Sequence, residues 1–214
     1  MYQPPHFRED DLDVKHALIR AHPLGLLITA GAEGLVANAL PFHLDSTLSE
    51  KGTLQVHMAR ANIQWRDIQA GAEVLAVFQG VNSYITPSWY ALKQETGKVV
   101  PTWNYAIVQI RGTARIRDDA AWLRKQIAAL TADHEAARAA PWEVADAPDA
   151  FVAAQLKGII GVEIAITAID GKWKVSQNRP AADISGVVKG LSDGGETHTN
   201  ADMAELVRRY GEAR

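Results

Sequence analysis

Cysteine is absent from all 214 residues. That removes disulfides, thiolate metal ligation and a thiol nucleophile, and it fits a reducing cytoplasm. Long apolar runs are also missing: no stretch approaches the roughly 20 residues of a membrane span. The opening "MYQPPHFRED" has neither a basic leader nor an apolar run, so it does not read as a secretion signal. The expectation is a cytoplasmic protein with no membrane partner. Positive charge is not in excess. The formal net charge is −3, so no broad electrostatic footprint for nucleic acid follows from it. Several signatures of chemistry are lacking too: no GxGxxG after a strand, no GxxxxGK(S/T), no HExxH and no GxSxG. The seven histidines are scattered without ligand spacing, and no metal site is expected. What remains, 47% hydrophobic and 22% charged residues, is ordinary for a soluble domain with a core of its own.

Aromatics are scarce, six Trp, five Tyr and four Phe, yet they are not spread evenly. "SYITPSWYALKQETGKVVPTWNY", Ser83 to Tyr105, holds two Trp and three Tyr beside lysines, threonines and two prolines. A core does not need the lysines, and a loop does not need the rings. Aromatic walls with a few placed polar groups suit a flat, partly polar ligand. The same mixture also suits a subunit interface.

The hydrophobic period sets the elements. A helix is expected over 10–22, capped by Asp10 or Asp11 and ended by His22-Pro23. Strands follow at 24–30, 35–45, 53–59 and 73–80. Pro41, which cannot donate to a ladder, marks an edge or bulge in the second. Another strand covers 106–118, bent at Gly112. Helices are expected after Asp118, through Leu123, Ile127 and Leu130, and over about 147–158. "GVEIAITAI" (161–169) alternates as a strand, Asp170-Gly171 signals a turn, and "KWKVSQN" continues as a short strand. Ile184, Val187, Val188 and Leu191 suggest a helix, 192–199 a loop, and Met203, Leu206, Val207 and Tyr210 a terminal amphipathic helix. Strands come in consecutive runs and do not alternate with crossover helices. The fold class is therefore α+β, with an antiparallel barrel or sandwich and peripheral helices.

Two segments carry candidate chemistry. In "VHMARANIQWRDI" (56–68), Arg60 stands at a strand end and Asn62 at a helix start, where a guanidinium fork and helix N–H groups suit phosphate. A solvated charge and a plain cap are the alternative there. In "KWKVSQNRP" (172–180), alternation puts Trp173, Val175 and Gln177 on one face and Lys174, Ser176 and Asn178 on the other. An ordinary polar outer face explains the second set equally.

Together, "MYQPPHF", "HPLGLLIT", "ANALPFHLD", "VHMARANIQW", "VFQGVNSYITPSWY", "VPTWNY" and "LKGIIGVEIAITAIDGKWKVSQNRP" resemble the PaiB-type FMN-binding negative transcriptional regulators. The resemblance runs from residue 1 to about residue 191. It implies an antiparallel split β-barrel of the FMN-binding type, related to pyridoxamine phosphate oxidases, over 1–191, with a helical insertion at about 118–158. A loop and C-terminal amphipathic helix over 192–214 complete the chain. It also implies a homodimer with FMN at the subunit interface. By position, Arg60 would pair with the FMN phosphate, with His57 and Asn62 nearby. Ser88, Trp89, Trp103 and Asn104 would line the ring or ribityl chain, and Lys174 and Asn178 would supply late-chain contacts. One departure stands out: the second strand, "LVANALPFHLD", lacks the basic pair of the oxidases, and their pyridoxal-binding cations are not evident either.

DNA binding follows from the resemblance alone. Arg124, Lys125 and Arg138 of the helical insertion are offset by Asp133 and Glu135, the pattern of a helix packed outside a barrel rather than of a recognition helix. The alternative function is an FMN-dependent oxidoreductase without direct DNA binding, since a flavin carries its own redox chemistry. A haem-binding version of it would use His43 or His57 as axial ligand.

Overall fold

A computed structural model describes residues 1–32, 34–195 and 197–212. Glu33, in the turn expected at 31–34, and Glu196, in the loop expected at 192–199, lie outside the described residues. The elements in chain order are β1 (Arg8–Glu9), α1 (Leu12–Ala21), β2 (Leu24–Gly31), β3 (Gly34–Pro41), β4 (His43–Asp45), β5 (Thr53–Ala59), α2 (Gln64–Gln69), β6 (Val74–Ile85), α3 (Leu92–Thr96), β7 (Thr102–Arg117), α4 (Ala120–Glu135), α5 (Asp149–Leu156), β8 (Ile159–Lys174), α6 (Ala181–Ser192) and α7 (Ala201–Glu212). The sheet runs β3-β2-β6-β7-β8-β5-β4, with β1 added to β8. The two ends of that path, β3 and β4, are consecutive in sequence and separated by Phe42 alone. The ladder is therefore open between them, as a split barrel requires. No helix among the described residues is long and apolar enough to cross a membrane.

The chain forms two compact units. One is built from Leu12–Phe78 and Gln109–Ile169, the other from Met1–Asp11, Gln79–Val108 and the chain from Asp170 onward. In the first, called the barrel unit here, Leu27, Phe42, Leu54, Val56, Phe78, Ile110, Val162 and Ile164 are buried. Each such side chain contributes about 1.5–3 kcal/mol. Phe42 and Phe78 meet edge to face at 5.2 Å. The Phe78 ring lies where a Cβ on Gly25 would be, 2.6 Å away, so only glycine fits in β2 at that point. Leu123 of α4 packs with Val144, Val152 and Leu156 beside Trp122 and Ile159.

The second unit, the helical unit, is tied to the N-terminus. Arg8 and Glu9 register with Lys172 and Gly171 of β8, Gln3 Nε2 donates to the Gly171 carbonyl at 2.7 Å, and the N-terminal ammonium meets Asp170 at 3.4 Å. In α7, Asn200 Oδ1 accepts from Met203 N at 3.0 Å as an N-cap, and the helix buries Met203, Ala204 and Val207. It packs on α6.

Several sequence expectations change. Asp170-Gly171 is no turn. β8 runs unbroken through it, because β1 supplies the neighbouring strand that makes an extended course favourable. "LVANALPFHLD" is two strands, β3 on β2 and β4 on β5, parted where Phe42 N bonds to the Pro23 carbonyl. The strand expected at 106–118 begins at Thr102 and so takes in "TWNY". Gly112 is a point of close approach, with the Ala165 carbonyl 2.3 Å from where a Cβ would sit. The strand through "KWKVSQN" stops at Lys174. Ser176 takes φ +66°, Gln177 folds back on Val175 N and Trp173 O, and the two-residue alternation ends there.

Candidate functional site

The helical unit gathers most of the candidates. Lys174 Nζ donates to Thr102 Oγ1 at 2.5 Å and to the Trp103 carbonyl at 2.6 Å. Asn104 Nδ2 donates to Ser176 Oγ at 2.8 Å, both residues buried. The Trp103 indole is 51% exposed, bonds through Nε1 to Asn82 Oδ1 and meets Tyr84 edge-on at 5.9 Å. Ser88 and Asn178 are exposed, and Lys93 Nζ reaches Ser88 Oγ at 3.2 Å. Trp89 is buried against α6: the Trp89 ring and carbonyl occupy the places where Gly190 and Gly186 would carry a Cβ.

Around this group stand three cations. Lys172, itself buried, lies over the Tyr2 and Tyr105 rings at 5.4 Å, and Arg179 over the Tyr90 ring at 4.7 Å. No carboxylate pairs with Lys172, Lys174 or Arg179 among the described residues. Burial first, then the charges of Lys172 and Arg179, hold the Lys174 ammonium below the usual lysine range. Such a cluster is held at a cost, and an anion would relieve it. Lys172 and Arg179 do not stand out in the sequence as site residues, although "KWK" and "NRP" hold them beside Lys174 and Asn178.

In the barrel unit, His57, Arg60 and Asn62 are each occupied. The Arg60 fork grips Asp118 through Nη1 and Nη2, while Nε reaches the Lys157 carbonyl and Nη2 the Ile159 carbonyl. That hydrogen bonding holds the Asp118 carboxyl below its usual range. Four of the five guanidinium donations are thus spent, and a phosphate at Arg60 would have to displace Asp118. Asn62 Oδ1 accepts from Gln64 N at 3.1 Å. His57 Nδ1 donates to Gln126 Oε1 at 2.8 Å and His43 Nδ1 to Asp133 Oδ2 at 2.6 Å.

The outer face of the β2–β3 pair is apolar throughout. Leu24 faces Pro41, Leu26 faces Ala39, Ile28 faces Ala37 and Ala30 faces Leu35. Leu24, Leu26 and Leu35 are 67%, 44% and 81% exposed. An exposed apolar face on an edge strand marks a contact surface or an aggregation hazard.

The donor set of the helical unit fits FMN. The uncompensated cations suit a phosphate, the open Trp103 indole suits a flat ring, and Asn104 Oδ1, buried without a partner, is an acceptor still to be satisfied. Lys172, Lys174 and Arg179 would face the phosphate and Trp103 the ring, whereas no contact links Ser88, which accepts from Lys93, or the exposed Asn178 to them. When bound, FMN supplies hydride and electron transfer at its ring.

Residues 1–168 match the model of the family described as "Putative FMN-binding domain". A protein of Emericella nidulans described as uncharacterized is 35% identical, with 99% of this chain and 98% of its own covered. The "Protease synthase and sporulation protein PAI 2" of Bacillus subtilis is 30% identical, over 97% of this chain and 96% of its own. Among solved structures, the FAD and Heme binding protein from Mycobacterium smegmatis superposes with a TM-score of 0.59 at 14% identity, over 78% of this chain and 73% of that one. That likeness speaks for the fold.

Proposed function

Because the chain belongs to the PaiB-type FMN-binding family, with FMN as its cofactor, we propose that it is a homodimeric flavoprotein with a regulatory role. The observation that carries this reading is the cluster of Lys172, Lys174 and Arg179, three cations that pair with no carboxylate among the described residues, one of them held by the carbonyl of the exposed Trp103. Lys174 and its neighbours hold the phosphate, and Trp103 bounds the ring. The Thr102 hydroxyl and Trp103 carbonyl keep the Lys174 ammonium in place. The exposed apolar face of β2 and β3, with Leu24, Leu26 and Leu35 open to solvent, supports the homodimer. The regulatory role is supported by the relative named for protease synthesis and sporulation.

A second reading, an FMN-dependent oxidoreductase without DNA contact, is favoured by the surface of the helical insertion. Arg124 of α4 pairs with Asp149 and Arg138 pairs with Glu135, both at 3.1 Å. Paired cations offer little to a phosphate backbone.

The test has two parts. Titration with FMN, followed by flavin fluorescence, is expected to saturate at one FMN per chain and to weaken in Lys174→Met. Sedimentation is expected to give a dimer that Leu26→Asp converts to monomer. A Leu26→Asp variant that stays dimeric would move the interface elsewhere. FMN affinity unchanged by Lys174→Met would remove the cation cluster from the site. A gel shift that falls steeply with salt would decide for direct DNA binding; its absence, with pyridine-nucleotide oxidation by the loaded protein, would decide for the enzyme.

A further inference from the structure

β7 carries Arg111, Thr113, Arg115 and Arg117 at two-residue spacing, so all four side chains lie on one face of the strand. Neighbours two apart on such a face stand about 7 Å from each other, and like charges at that distance repel. A strand face with this composition calls for counter-charge.

At the Arg115–Arg117 end of that face, the counter-charge among the described residues is Glu163, and it is already engaged. Glu163 of β8 takes Arg117 Nη2 at 2.5 Å on one oxygen, and Gln55 Nε2 at 3.4 Å and Trp122 Nε1 at 3.3 Å on the other. Arg117 is thereby held in place, yet its Nε is buried and has no acceptor among the described residues. A buried donor without a partner is costly and calls for one. Arg115 is exposed and has no partner among the described residues. Both arginines, with Thr53, Thr113, Glu163 and Leu48, line a cleft of about 450 Å³ in the barrel unit. Two guanidinium groups against one saturated carboxylate leave the cleft with a net positive charge.

We propose that this cleft binds a small oxyanion, the phosphate or carboxylate end of a small metabolite, as an effector site additional to the flavin. The anion would lie against the Arg115 fork and take the Thr113 hydroxyl, with the Arg117 guanidinium adding positive charge from the cleft wall. Leu48, 52% exposed at the cleft, offers an apolar wall for the rest of such a molecule. None of these residues is among those assigned to FMN, so the two readings stand or fall separately.

The experiment is calorimetric titration of the purified chain with inorganic phosphate and, separately, acetate, at constant ionic strength. Saturable binding of phosphate, of acetate or of both is expected, and which of them binds tells phosphate from carboxylate. Arg115→Ala is expected to weaken it at least about tenfold, the loss of one charge-assisted contact. Arg115 is exposed and its removal leaves the Glu163 network intact. Thr113→Val, which keeps the shape, is expected to weaken it less. The absorbance of bound flavin and the affinity for FMN are expected to be the same in Arg115→Ala and the parent. No saturable binding of either anion, or an Arg115→Ala variant that titrates like the parent, would overturn the proposal. So would weakened FMN binding in Arg115→Ala, which would make the cleft the seat of the flavin phosphate itself.

Discussion

Asn104 Nδ2 donates to Ser176 Oγ at 2.8 Å, and that bond anchors the one non-glycine residue among the described residues with a positive φ, +66°. A side chain in the left-handed region costs about 1–2 kcal/mol, so it persists where surrounding contacts over-determine it. Here the contacts are the Asn104 bond and the return of Gln177 onto Val175 and Trp173. The strained turn ends β8 just past Lys174.

Asn104→Ala is expected to destabilise the fold by about 1–3 kcal/mol, the loss of a buried hydrogen bond with a hydroxyl left behind. Urea unfolding of the two proteins measures it. An equal midpoint would mean that the turn stands without Asn104.

Lys174 gives a pH signature. Its folded-state pKa is lowered by burial and by Lys172 and Arg179. Between that lowered value and the ordinary 10.5, the unfolded chain binds more protons than the folded one, so stability rises with pH across that window. Below it, the penalty for burying the charge is fully present. Lys174→Met is accordingly expected to raise the melting temperature at neutral pH while weakening FMN. FMN binding near the lowered pKa is expected to take up a proton, read from titration heats in buffers of different ionisation enthalpy. Heats independent of buffer would take Lys174 away from the phosphate.

Gly186 and Gly190, one turn apart on α6, make the bed for Trp89. A Cβ at Gly186 would lie 1.9 Å from the Trp89 carbonyl. Backbone cannot rotate aside as a side chain can, so Gly186→Ala is expected to cost about 1–3 kcal/mol. A thermal melt like that of the parent would show that α6 can shift without loss.

Arg60 and Asp118 allow a test of charge. Asp118→Asn keeps the shape and frees the Arg60 fork from its carboxylate. FMN affinity is expected to stay as in the parent, since the cation cluster holds the phosphate. Tighter binding in Asp118→Asn would return Arg60 to the phosphate.

Short-range pattern made much of the architecture legible. Leu54, Val56 and Met58 alternate with Gln55 and His57, and the first set is buried in β5. Met203 and Val207 recur at helical spacing and lie under α7. The rings concentrated at 83–105 include Trp103, which is half exposed beside Tyr84. What misled was local chemistry read without a neighbour. Asp170-Gly171 has the composition of a turn, but β1, some 160 residues earlier in the chain, pairs with it and keeps it extended.

The sequence by itself determined the element types, the family and the residue types available for a flavin, because periodicity and motif order are properties of adjacent residues. Only the tertiary structure decided which charges are spent. Arg60 and Lys174 are both cations at strand ends, alike in sequence. Asp118, 58 residues along the chain, neutralises the first, while Lys172 and Arg179 surround the second with like charge. Electrostatic energy depends on distance through space, and chain separation does not reveal it.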